Sequence, residues 1–156
     1  TKIPSGVLFA DSEKTIKGLY AEYFDNTAFS GKPAYSRQDE DISFTWWDKG
    51  PGSPLKGDKF SVRWTGVLVP RVTGNHAIGF EGYPMVKFWI ENGETKEFSS
   101  VHHSQKQYEY FFLEKGKSYP IKIEYIQDNS DYAHFNLFWE EPGKNLKLEA
   151  LNLAAK

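Results

Sequence analysis

Cysteine is absent from the 156 residues, which excludes disulfides, thiolate metal sites and a cysteine nucleophile. Its absence leaves the compartment open, because cytosolic proteins and many exported bacterial domains with an adequate core both dispense with disulfides. Long apolar runs are missing too, and none approaches the roughly 18 residues of a membrane-spanning helix. Neither sign of charge is in excess, with 19 basic against 21 acidic residues and no sustained run. A nucleic-acid partner, whose phosphates call for a basic stripe, is therefore not expected. No leader-type segment opens the chain, and Thr1 as first residue suggests a processed protein or an excised fragment.

Signatures of catalysis are equally scarce. Glycoside hydrolysis uses two carboxyl groups held about 5 Å or about 6.5–9.5 Å apart. Asp39-Glu40-Asp41 and Glu140-Glu141 are close only along the chain and read as solvated turn acids. No G-x-S-x-G elbow is present, and no phosphate-binding glycine loop precedes a helix. His102-His103 is the densest histidine pair, but neighbours on a strand point to opposite faces, so joint metal binding would need a loop. Asp128, Asn129 and Asp131 share one tip and offer part of a calcium shell, against the plainer reading of a polar turn. The chain by itself is not expected to be an enzyme.

Aromatic residues are what the sequence has in abundance: 12 Phe, 9 Tyr and 5 Trp, or 17% of the chain. Such rings favour strands and broad packing faces, and they also give flat surfaces on which sugar rings stack. Most alternate with polar residues at a period of two. Leu19, Ala21 and Tyr23 share one face of IKGLYAEYF, and Ile42, Phe44 and Trp46 share another. In KFSVRWTG, Phe60, Val62 and Trp64 face one way and Arg63 the other, with Gly66 marking a bulge or a close backbone approach. Val86, Phe88 and Ile90 oppose Met85, Lys87 and Trp89. Asn92-Gly93 suits a tight hairpin turn. Residues 48–58, rich in glycine and proline, predict a long loop, and 127–131 a tip loop. About nine or more strands with regular turns predict an all-β antiparallel sandwich or barrel. After Pro142-Gly143 the pattern changes, and Leu148, Leu151 and Ala155 fall at helical spacing, predicting a short helix at the C-terminus.

Carbohydrate contact is the positive functional expectation. A sugar site needs exposed rings beside polar groups. Trp47 follows Trp46 at the mouth of the long loop, Tyr83 stands on a loop beside Pro84, and Trp89 lies on the face opposite the apolar series. His102 and Asp128 complete the candidate set on its polar side. Arg63 is expected to bridge strands with a carboxylate more than to meet a ligand.

GLYAEYFDN (18–26), RQDEDISFTW (37–46), DKFSVRWTGVLVP (58–70) and GKSYPIKIEYIQDN through NLFWEEPG (116–143) resemble the domain family named after the N-terminal region of anthrax protective antigen. The resemblance spans residues 16–143. It implies a β-sandwich of the kind found in toxins, yeast adhesins, bacterial surface proteins and carbohydrate-active enzymes. The flanks, VLFADSEKTIKGLYAEYF and LEALNLAAK, are similar to the junctions where this domain is inserted in glycoside hydrolase family 3 β-glucosidases and β-xylosidases. The resemblance thus implies a lead-in at 1–15 and a junction helix from 144. It also implies a secreted or periplasmic parent whose catalytic domains and oligo- or polysaccharide substrate are the partners, with no membrane or nucleic acid involved. The runner-up readings are a free-standing carbohydrate-binding or adhesion module and a sugar-independent protein-interaction domain. Sugar-binding adhesins of the family hold calcium on two adjacent aspartates joined by a cis peptide. Those positions fall here on Tyr83 and Pro84, with the following acid kept as Glu91, so no cofactor is expected and adhesin-type calcium binding is not.

Overall fold

The computed structural model describes residues 2–11, 13–46, 51, 55, 59–92, 94–101, 106–128 and 133–143. Among them the fold is all-β. A 3-10 turn at Ser5–Val7 precedes β1 (Leu8–Phe9), β2 (Leu19–Phe24), β3 (Tyr35–Asp39), β4 (Ser43–Trp46) and β5 (Lys59–Leu68). There follow β6 (Gly74–Tyr83), β7 (Met85–Asn92), β8 (Glu94–Val101), β9 (Gln107–Leu113), β10 (Tyr119–Asp128) and β11 (Ala133–Glu140). The strands form two antiparallel sheets. One has seven strands in the order β3-β2-β5-β10-β7-β8 with β1 also on β5, and the other has four in the order β4-β11-β6-β9. The expected C-terminal helix falls at 144–156, outside the described residues.

Alternation in the sequence becomes burial in the structure. Phe60, Val62, Trp64 and Leu68 of β5, Ile121, Ile123 and Tyr125 of β10, and Val86, Phe88 and Ile90 of β7 face inward against Ile78 and Phe80 of β6 and Phe135 and Leu137 of β11. Each such side chain contributes about 1.5–3 kcal/mol on leaving water. Trp64 lies at the centre, its ring parallel to those of Phe135 (5.3 Å) and Phe44 (5.9 Å). Gly66 proves to be a close approach and not a bulge: it pairs with Ile121 in an unbroken ladder. A Cβ there would lie 2.4 Å from the Phe9 carbonyl oxygen and 2.8 Å from a Leu19 methyl, where β1 and β2 meet on the same edge of β5.

Three expectations need correction. Asp39 is no solvated turn acid. The β2–β3 register sets it opposite Leu19, facing inward, where it accepts from Tyr23 Oη (2.7 Å), Trp64 Nε1 (2.9 Å) and Arg37 Nε (2.7 Å). Glu141 is likewise buried, with a two-pronged contact from Arg71 at 2.6 and 3.1 Å. Gln127 and Asp128 do not belong to a tip loop but extend β10, pairing with Phe60 and Lys59, and Gln127 is buried.

The opening residues are part of the body of the domain. Ile3, Val7 and Leu8 are buried. The Ile3 amide donates to Leu137 O (3.2 Å), the Val69 amide to Val7 O (2.8 Å), and Lys2 bridges to Phe138.

Candidate functional site

The register brings a particular set of strand ends together. Trp46 pairs with Ala133, Tyr83 with His134, Lys59 with Asp128, Met85 with Ile126 and Val101 with Met85. The end of β4, start of β5, β6–β7 junction, end of β8, end of β10 and start of β11 therefore share one rim of the sandwich. At Pro84 the chain passes from the four-stranded to the seven-stranded sheet in a single residue. Gly82 permits it, because a Cβ there would lie 2.5 Å from a Val86 methyl and 3.0 Å from the Phe135 ring.

Of the five candidates, Tyr83 and Asp128 are described on this rim. Trp47 and His102 lie outside the described residues, although their chain neighbours Trp46 and Val101 end strands there. Tyr83 is half-buried, its ring parallel to that of His134 at 6.5 Å, and its carbonyl accepts a hydrogen bond from the Tyr125 hydroxyl. Burial pushes His134 below the ordinary imidazole range, with Glu81 acting in the opposite sense. Asp128 is half-buried at the end of β10.

Trp89 is elsewhere, at mid-strand on the outer face of the seven-stranded sheet between Lys122 and Glu97. Its indole N–H donates to Glu97 (2.5 Å), and the ammonium groups of Lys122 and Lys87 lie 4.2 and 5.5 Å from its ring. It borders a shallow hollow of about 190 Å³ with Pro120 and Thr95. The ring is engaged by its own neighbours and does not join the rim.

The calcium chemistry of the sugar-binding adhesins does not fit these residues. The Tyr83–Pro84 peptide is cis, but neither residue offers a carboxylate. The Tyr83 carbonyl has a protein donor and Pro84 is buried. Among the described residues, no group of three metal-ligating side chains converges. Arg63 does what its position suggested, donating to Glu124 at 2.9 Å across β5 and β10.

Phe29 escaped the sequence reading. The loop DNTAFSGKP between β2 and β3 folds over the outer face of the seven-stranded sheet. Asn26 Oδ1 accepts from the Ala28 and Ser30 amides (both 3.0 Å), and Ser61 Oγ accepts from the Phe29 amide (3.3 Å) and donates to Asn26 O (2.7 Å). A lone aromatic ring within a polar turn was the available signal.

Two antiparallel sheets packed around one core define a β-sandwich module. A family model described as the PA14 domain matches residues 16–149, and the chain belongs to that family. The anti-sigma-I factor RsgI3 of Acetivibrio thermocellus is 34% identical over 138 residues, which cover 86% of this chain and 20% of that protein. This chain thus spans about a fifth of the length of that curated relative. Among solved structures, the β-glucosidase of Kluyveromyces marxianus in complex with glucose superposes with a TM-score of 0.70 at 20% identity, covering 98% of this chain and 20% of that one. The epithelial adhesin 6 A domain of Candida glabrata, in complex with Galβ1-3GlcNAc, gives 0.65 at 14% identity, covering 81% and 80%.

Proposed function

We propose that this chain is a noncatalytic accessory domain that contacts carbohydrate at the substrate entrance of a β-glycosidase of the glycoside hydrolase family 3 type. One observation carries most weight: Tyr83, Asp128 and the strand ends adjoining Trp47 and His102 share one rim. The near-complete superposition on part of a glucose-bound β-glucosidase supports the same reading. In this arrangement the nucleophile and acid belong to other domains of the parent. The parent works outside the cytoplasm, secreted or periplasmic, where polysaccharide is met. The likeness to an anti-sigma factor favours a second reading, in which the same rim serves a regulatory protein instead of an enzyme.

The purified chain, titrated with gluco- and xylo-oligosaccharides while its amide resonances are followed, is expected to show weak binding centred on Tyr83 and Asp128. Tyr83→Ala should weaken it about fivefold to tenfold, in line with the loss of one stacked ring. Hydrolysis of an aryl β-glucoside or β-xyloside by the chain itself would overturn the noncatalytic assignment. Silence at the rim with every oligosaccharide would overturn the sugar contact.

A further inference from the structure

A second hollow, of about 290 Å³, lies on the outer face of the seven-stranded sheet and adjoins the rim only at Met85 and Ile126. Met85 and Ile126 line its floor, Phe29 forms one wall, and Lys87, Glu124 and Ser99 stand around it. We propose that this hollow is a binding subsite for a single neutral pyranose ring. The proposal goes beyond the rim reading and does not depend on it.

Strand register assembles the polar side. One cross-strand row runs Arg63–Glu124–Lys87–Ser99 through β5, β10, β7 and β8, and the next row places Ile126 beside Met85. Glu124 is oriented before any ligand arrives, because Arg63 holds it at 2.9 Å. Lys87 is exposed and only loosely engaged, 3.6 Å from Glu97. The Arg63 guanidinium also lies 4.9 Å from the centre of the Phe29 ring, and the Phe29 amide bond to buried Ser61 fixes the backbone beneath that ring. The wall and the acceptor are thus preorganised by one arginine, which lowers the cost of ordering them on binding.

The mixture of surfaces selects the ligand. The ring, thioether and branched alkyl group match the C–H face of a sugar, while an ammonium, a carboxylate and a hydroxyl match its hydroxyls as donor, acceptor and both. A purely apolar guest would cover these polar groups without pairing them. An ionic guest meets opposite charges on neighbouring strands and gains little net attraction. The volume, near the roughly 300 Å³ lower limit of small-molecule sites, admits one ring and not a chain.

The test is an amide-resonance titration of the chain with glucose, using glycerol at equal hydroxyl concentration as control. Glucose is expected to shift Phe29, Lys87 and Ser99 saturably while glycerol does not. Phe29→Ala should weaken binding by about tenfold, and Ser99→Val, at an exposed strand position, should also weaken it with an unchanged melting temperature. Tyr83→Ala should leave these shifts intact, so failure of the rim reading is separately visible. Glucose shifts confined to Tyr83 and Asp128, equal shifts with glycerol, or no shift at all would each overturn the subsite.

Discussion

Asp39 and His76 are both buried near the end of the sandwich away from the rim, yet their surroundings differ. Asp39 receives three donors from β2, β3 and β5: Tyr23, Arg37 and Trp64. The Tyr23 hydroxyl is in turn driven above the ordinary phenol range by burial and by the Asp39 charge beside it. His76, on β6, has its Nδ1 3.0 Å from Gly74 O and its ring 5.2 Å from that of Trp139, while its buried Nε2 meets no partner among the described residues. A buried charge met by three donors fastens the strands around it. A buried neutral base lacking one partner does so only while it stays neutral.

The contrast can be broken most forcefully at Asp39. Asp39→Ala strands an arginine and two buried donors, and unfolding by urea should show a loss of about 3–5 kcal/mol. Gly82→Ala comes next. Its new methyl meets Val86 and Phe135 at the inter-sheet crossing, for about 1–3 kcal/mol in the same measurement.

Acid should act through the histidines. Burial, first among the causes, holds His76 and His134 below the ordinary range, against the opposing Gly74 carbonyl and Glu141 for His76 and Glu81 for His134. The unfolded chain therefore binds more protons than the folded one as pH falls through about 6.5. Stability is full above that value and declines below it, by at most about 1.4 kcal/mol per pH unit for each proton. Urea midpoints across this range should fall with pH, and His76→Phe should flatten part of the slope. An unchanged slope would show that His76 is not among the groups responsible. The smallest effect belongs to the partly exposed Arg63–Glu124 pair, where Glu124→Gln should cost no more than about 1 kcal/mol. Its larger effect is expected on the glucose titration that tests the proposed subsite.

Inward and outward faces could be read directly from the sequence wherever a strand alternates, as in Phe60-Val62-Trp64 or Val86-Phe88-Ile90. The site was less legible because it depends on which strand end meets which. Tyr83 and Asp128 are far apart in sequence and come to one rim only through two sheets and a one-residue crossing. Nothing local distinguishes Asp39 from Glu40 and Asp41; the β2–β3 register alone turns it inward. Phe29 is similar, a ring in a polar loop whose place is set by Ser61 on another strand. Trp89 was correctly placed on the outer face, but no periodicity reveals that two lysines and a glutamate already surround its ring.

Residues 2–9 act as a stitch through both layers. Ile3 is hydrogen-bonded to the four-stranded sheet, and Leu8–Phe9 pair with β5 of the seven-stranded one. The family match begins only at residue 16. A version trimmed to that boundary would unpick the seam, remove Ile3, Val7 and Leu8 from the interior, and bare strand edges open to association with another chain.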